Sequence, residues 1–430
     1  MKKLLASAAT VILMAACSAS EESPPKAMPN NTFDTAVMDG ILKNAVDTGQ
    51  THGVSAVVYQ DGIKVYQGAF GLRDAENNLP MNEDTIVRIY SMTKPITSTI
   101  IMQMVEEGKL KLSDPASDYV PQIGKMVAFE GLNEDGTPKF APQARPVTVE
   151  DLMLHTSGIG YGIFGDITPL ATLYKNAGLF NPDDTMAQNM DKLAALPLMA
   201  QPGEIWYYGY NIDVLGRIAE VIDDKPLGDV MQDRIFGPLG MTKTGFSVPD
   251  GEAENFASNY MMTPDGLVLA EAAQGSPFQT TNAFQSGGGG LVSTLGDYAR
   301  YGQAMENGGE LNGVRILKSE TVDVMMQNQL DDSVKYAFPW DQNGAIRFGY
   351  GGSVAVDAKE ALTCKTGIAN GQWGWGGAAR TDFFIDPDAG TMAVFFVQQF
   401  EEPELKLHAD FRRTVWLQTR KSNQDWCAED

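Results

Sequence analysis

Strand-forming runs stand at both ends of this chain, and most of what lies between them reads as helix and loop. No other property of the sequence constrains the fold as much. Near the start, residues 54–60 and 63–68 are rich in β-branched and aromatic side chains. They are split by Asp61-Gly62, a dipeptide suited to a two-residue hairpin turn. Near the end, residues 381–385 and 392–398 are again strand-like, separated by Asp386-Pro387-Asp388-Ala389-Gly390, and 404–419 carries the apolar spacing of an amphipathic helix. Between them, 149–154, 212–223 and 294–306 have helical patterns. Strands at both termini around a helical middle imply an α+β fold: one antiparallel sheet built from both ends, flanked by helices, with a mostly helical lobe inserted. The expected domain spans about 33–425, with the sheet lobe from 33–90 and 330–425 and the helical lobe from 91–330. A cleft between the lobes is the expected place for a site.

At the entry to the helical part, a strand-like run over 86–90 gives way to Ser91-Met92-Thr93-Lys94. Helix periodicity continues through Ile96, Ile100, Ile101, Met104 and Val105, Pro95 suits a first turn, and Gly108 is a stop signal. A serine and a lysine three residues apart at a helix start lie on one face, a turn apart. A serine hydroxyl is a poor nucleophile until a neighbouring base takes its proton, and this spacing supplies one without a histidine. The positive end of the helix dipole favours an anionic group there. Taken alone, the tetrad is also compatible with a capping serine followed by a solvated lysine.

Other chemistries find little support. A formal net charge of −23 disfavours nucleic acid and anionic lipid as partners and reads as a solvated exterior. His52, His155 and His408 are scattered, and Cys17, Cys364 and Cys427 are isolated, so neither a metal nor a cofactor is expected. Whether Cys364 and Cys427 pair stays open in the sequence. The glycine run 287–290 has no following Lys-Ser/Thr and reads as a backbone turn bordering the cleft, not a phosphate loop. His155 precedes Thr156-Ser157-Gly158 without any Gly-x-Ser-x-Gly elbow, so it reads as a hydrogen-bonded structural histidine.

Several segments together resemble a known family. Ser91-Met92-Thr93-Lys94-Pro95-Ile96-Thr97 is similar to the first motif of the serine β-lactamase and penicillin-binding-protein superfamily. The nearest likeness within it is to class C β-lactamases and family VIII carboxylesterases. The segments 147–158 and 287–294 resemble further stretches of that group, and the likeness covers roughly residues 35–420. The stretch 202–216 resembles the second catalytic motif, which assigns its tyrosine to Tyr208. Lactamases of the family carry asparagine two residues later; here that position is Tyr210 and Asn211 is one place late, which resembles the esterase branch. For the third motif, Lys365-Thr366-Gly367 resembles the triplet of penicillin-binding proteins and Trp375-Gly376-Gly377 that of the esterases. The second is preferred because Trp375 leads directly into the strand-like 378–385, whereas Lys365 leads into a loop-like segment.

The resemblance implies a serine hydrolase that forms an acyl-enzyme at Ser91, with Lys94 and Tyr208 moving its proton. The backbone N–H groups of Ser91 and Ala378 would form the oxyanion hole, and Trp375, Gly376, Gly377 and Tyr210 would contact a small ester or amide substrate. A carboxylesterase for short-chain esters is the leading expectation. A β-lactamase, D-amino-acid peptidase or transacylase is the alternative, and a non-catalytic cell-envelope binding protein is the third. At the N-terminus, Lys2-Lys3 and a short apolar stretch read as a leader over 1–16. Leu13-Met14-Ala15-Ala16-Cys17-Ser18 resembles a bacterial lipobox, implying lipidation of Cys17 and a tether over 17–32. That implies a lipid-anchored protein of the bacterial envelope, on the periplasmic side of the outer membrane, touching membrane only through its anchor; no oligomeric state is implied.

Overall fold

The computed structural model describes residues 33–162, 170–337, 344–400 and 406–420, together with Cys427. The leader, Cys17 and the tether lie outside the described residues.

The labelled elements, in chain order, are α1 (Thr35–Asp47), β1 (Gly53–Gln60), β2 (Ile63–Asp74), β3 (Leu79–Pro80), α2 (Thr93–Glu106), α3 (Val149–Met153), α4 (Asn211–Asp223), α5 (Leu295–Glu306), β4 (Ile346–Phe348), β5 (Ser353–Ala355), α6 (Glu360–Thr366), β6 (Trp373–Gly376), β7 (Asp382–Asp386), β8 (Thr391–Phe396) and α7 (Lys406–Thr419). Among the described residues, eight strands form one sheet in the order β4-β5-β6-β7-β8-β1-β2-β3. Every pairing in it is antiparallel. The two ends of the chain meet where β1 pairs with β8, Ala56 opposite Phe395 and Val57 opposite Val394. The β1–β2 turn is made by Asp61 and Gly62, both at positive φ (50° and 76°) as a two-residue hairpin requires.

Period-2 alternation decides which side chain meets which layer. On one face Val54, Ala56, Val58, Ala393 and Phe395 pack with Met38 and Leu42 of α1 and Phe411 and Val415 of α7. On the other face Val57, Met392, Val394 and Phe396 join a larger core with Tyr298 and Tyr301 of α5. Both faces of β1 and β8 are thereby buried, which explains their nearly unbroken apolar character.

The middle of the chain is less purely helical than its pattern suggests. Strands Val127–Leu132 and Pro138–Pro142 pair, as do Asn259–Thr263 and Gly266–Glu271. Their turns carry Asp135-Gly136 and Pro264-Asp265-Gly266, hairpin signals masked by the polar residues around them. The strand-like run over 86–90 shrinks to Val87–Arg88, paired with Val292–Ser293.

Cys364 of α6 is joined to Cys427 with Cα atoms 5.5 Å apart, across 63 residues of sequence. The Arg413 guanidinium of α7 donates to the Cys364 carbonyl at 2.7 Å, so the bridge sits on the α6–α7 contact. In a chain-entropy account, closing a loop of this size removes about 4 kcal/mol from the unfolded ensemble. Replacing Cys427 with Ser is expected to lower the unfolding free energy by about 2–4 kcal/mol in a urea titration. A reductant should reproduce that loss in the wild type and add nothing in the variant; an equal urea midpoint for both proteins would refute the expectation.

Candidate active site

Ser91 lies in a tight turn, Tyr90–Met92, immediately before α2. Tyr90 has φ 43°, in the left-handed region where an aromatic residue is rare. It is held there by Asn259, whose Nδ2 donates to Tyr90 Oη at 3.1 Å, and by the Phe400 ring at 5.6 Å. Helix α2 is buried on nearly all sides from Thr93 to Met104. Two of its buried hydroxyls find partners, Thr97 donating to the Gly287 carbonyl at 2.7 Å and Thr99 sharing a hydrogen bond with Tyr301 at 2.9 Å.

Lys94 is 1% exposed. Its Nζ donates to Ser91 Oγ at 3.1 Å and to the carbonyl of Gly288 at 2.5 Å. The glycine run is thus a turn against the start of α2, as its sequence suggested. Tyr208 Oη donates to Ser91 Oγ at 2.8 Å, and Lys94 Nζ sits 4.6 Å from the centre of the Tyr208 ring. One serine oxygen therefore faces a buried amine and a phenol at once. Among the described residues Lys94 is paired with no carboxylate.

Tyr208 is carried by the segment before α4 and braced by His155. The Nδ1 of His155 accepts from the Gly209 N–H at 3.4 Å and from Asn211 Nδ2 at 2.9 Å, and its ring lies 4.7 Å from that of Tyr208. Burial pushes the His155 imidazole well below its ordinary titration range, aided by the Lys94 charge, so it is neutral and structural. Asn211 is wholly buried and also receives the Ser157 hydroxyl, so its amide is committed to the protein interior. Tyr210 packs against Tyr161 (4.6 Å) and Phe180 (4.9 Å). With Tyr161, Tyr174, Leu179 and Phe180 it lines a cavity of about 300 Å³.

Trp375 is the last residue but one of strand β6, and its Nε1 donates to Tyr208 Oη at 3.1 Å. This corrects the sequence expectation that the triplet leads straight into the next strand. Residues 377–381 instead turn the chain: the Gly377 N–H donates to Thr381 O at 2.7 Å, the Arg380 N–H to Gly377 O at 3.0 Å, and Arg380 adopts φ 62°. A Cβ at Gly377 would lie 2.4 Å from the Ile89 carbonyl and 2.2 Å from Thr381 Oγ1, so only glycine lets this turn reach the segment carrying Ser91. Ala378 is exposed on the turn, and among the described residues no acceptor takes its N–H. Lys365-Thr366-Gly367 lies elsewhere, closing α6 with Gly367 at φ 73° against the backbone of Arg412. As expected it runs into a loop: Gly367 is a helix C-cap, and residues 368–372 form neither helix nor strand.

Sequence reasoning passed over Asp213, a wholly buried carboxylate in the first turn of α4 beside the glycine turn. Its one signal is an acid set among the apolar residues Ile212, Val214 and Leu215.

A model of the beta-lactamase family matches residues 38–415. Protein Rv1367c of Mycobacterium tuberculosis is 33% identical over 375 residues, covering 86% of this chain and 90% of that protein. Esterase EstB of Burkholderia gladioli is 28% identical over 377 residues, covering 83% and 88%. Among solved structures, EstCE1, described as a hydrolase with promiscuous acyltransferase activity, superposes with a TM-score of 0.73 at 26% identity, covering 89% of this chain and 98% of that one.

Proposed function

The chain belongs to the beta-lactamase family and is a serine hydrolase of that fold, and from that premise we propose that it is a carboxylesterase forming an acyl-enzyme at Ser91. The observation that carries the reading is the position of Ser91 Oγ, 2.8 Å from Tyr208 Oη and 3.1 Å from Lys94 Nζ. As Oγ attacks an ester carbonyl, its proton passes to the Lys94–Tyr208 pair. The carbonyl oxygen becomes an oxyanion received by the N–H groups of Ser91 and Ala378, a kind of donor worth about 3 kcal/mol in the transition state. Tyr208 returns the proton to the leaving alkoxide, leaving an ester on Ser91. Water, deprotonated by the same pair, then cleaves it and restores the hydroxyl.

An ester rather than a lactam is favoured by Tyr210. Where lactamases of the family present an asparagine amide, this chain has a buried ring in an aromatic cluster, and the neighbouring Asn211 amide is already engaged. The likeness to EstB supports the same choice. We assign the aromatic cavity beside Tyr161, Phe180 and Tyr210 to an apolar substituent of the substrate. Transfer of the acyl group to an alcohol in place of water is the second reading, favoured by the likeness to EstCE1. Lipidation at Cys17 and an envelope location are part of the proposal, and the Cys364–Cys427 bridge fits an oxidising compartment.

The deciding comparison is kcat/KM for an aryl butyrate against that for a chromogenic cephalosporin. The ester is expected to react much faster, and faster opening of the lactam ring would overturn the assignment.

A further inference from the structure

Asp213 is not used by the mechanism above, yet it is the most costly side chain in its neighbourhood to bury. Its Oδ1 accepts from Ser286 Oγ at 2.5 Å and from the Gly288 N–H at 3.2 Å. Gly288 in turn presents its carbonyl to Lys94 Nζ at 2.5 Å, and Gly287 presents its own to Thr97 at 2.7 Å. One carboxylate therefore fixes the turn that fixes the lysine. We propose that Asp213 is a positioning residue for the reaction: by anchoring Ser286 and Gly288 it sets the Gly288 carbonyl, and through it Lys94 Nζ, against Ser91 Oγ. The inference rests on the serine-hydrolase reading of Ser91 and deepens it.

Two further observations fit this role. A Cβ at Gly288 would lie 2.5 Å from Asp213 Oδ2 and 3.0 Å from Tyr161 Oη, so only glycine can bring its carbonyl under Lys94 while its N–H reaches the acid. Asp213 Oδ2 has no hydrogen-bond partner among the described residues. A carboxylate used only as an acceptor for Ser286 and Gly288 would do no more than an asparagine, so its charge is the feature to explain. That charge faces Lys94, Tyr161 and Tyr210, and Lys94 is faced in turn by Tyr208 and His155. Burial raises the pKa of Asp213 above the ordinary carboxylate range, opposed by the Ser286 hydrogen bond and by Lys94. Burial likewise raises Tyr161 and Tyr210, keeping both phenols neutral, and it holds His155 neutral. In this corner Asp213 places a carboxyl group facing Lys94 from one step behind the site.

The test is the rate at which a fluorophosphonate labels Ser91, measured against pH in the full-length wild type and in Asp213→Ala, Asp213→Asn and Ser286→Ala. Near-ultraviolet circular dichroism checks the fold of each. Loss of the anchor in Asp213→Ala is expected to slow labelling by up to about 100-fold. Asparagine still accepts from Ser286 and Gly288, so Asp213→Asn should recover to within about tenfold of wild type. It should also shift the acid limb of the rate profile, because a titratable carboxyl facing the site is gone. Ser286→Ala should fall between wild type and Asp213→Ala with its acid limb in place. A folded Asp213→Ala that labels as fast as wild type overturns the proposal. Should that variant not fold, an unmoved acid limb in Asp213→Asn or an unchanged rate in Ser286→Ala overturns it. A wild type that fails to label at Ser91 overturns the serine-hydrolase assignment as well, so the two failures are told apart.

Discussion

Ser91→Ala is expected to abolish ester turnover, with a loss on the order of 10⁴-fold or more in kcat/KM, because the proposed acyl-enzyme forms on the hydroxyl that is removed. The geometry predicts that this loss comes without unfolding. Lys94 Nζ keeps the Gly288 carbonyl at 2.5 Å, and Tyr208 Oη keeps the Trp375 indole N–H at 3.1 Å. Lys94 is therefore not stranded, while the Tyr208 O–H loses the acceptor that Ser91 Oγ supplied and bears the cost of that lost bond. Unfolding free energy should fall by no more than about 1–3 kcal/mol, the cost of one buried donor left without its acceptor. The measurement is hydrolysis of an aryl butyrate alongside a urea titration. A variant that retained turnover within tenfold of wild type would place the nucleophile elsewhere.

How much of this was legible before the structure depends on the range of the interaction. The hairpin at Asp61-Gly62 and the paired strands at the two ends follow from local turn chemistry and period-2 alternation. The Ser91–Lys94 pair is local too, three residues on one helix start. The contact between Tyr208 and Ser91 spans 117 residues, and that between Trp375 and Tyr208 spans 167. No periodicity encodes such separations; the family resemblance supplied those residues, and the fold brings them together. The placement of Trp375-Gly376-Gly377 failed for an identifiable reason. Residues 378–385 read as a strand running on from the triplet, and the turn at their start depends on Arg380 adopting positive φ, which an arginine does not announce. Asp213 was illegible because its meaning lies in a glycine turn 75 residues away. The buried amide of Asn211 shows the reverse case: a residue with a suggestive offset proves to be committed to His155 and the Ile159 carbonyl.

Tyr208→Phe separates the two candidate proton carriers. The substitution leaves the ring packed against Trp206, His155 and Trp375, whose centres lie 5.9, 4.7 and 5.5 Å away, so the fold is expected to persist. What is lost is one oxygen, the donor to Ser91 Oγ and the acceptor of Trp375 Nε1. General acid–base catalysis typically contributes about 10²- to 10⁴-fold, and a loss in kcat of that size with KM changed only a few-fold is the expected result. Trp375→Phe removes the donor that orients the phenol and leaves a smaller ring in its place, and should cost about tenfold or less, a smaller step than that ascribed to the acid–base group itself. The leaving group sharpens the test. A nitrophenolate departs without a proton, whereas a simple alkoxide must be protonated as the bond breaks. If Tyr208 delivers that proton, Tyr208→Phe must damage alkyl ester hydrolysis more than nitrophenyl ester hydrolysis. If Lys94 both takes and returns the proton, the two substrates suffer alike, and Tyr208 is a packing residue that happens to touch the nucleophile.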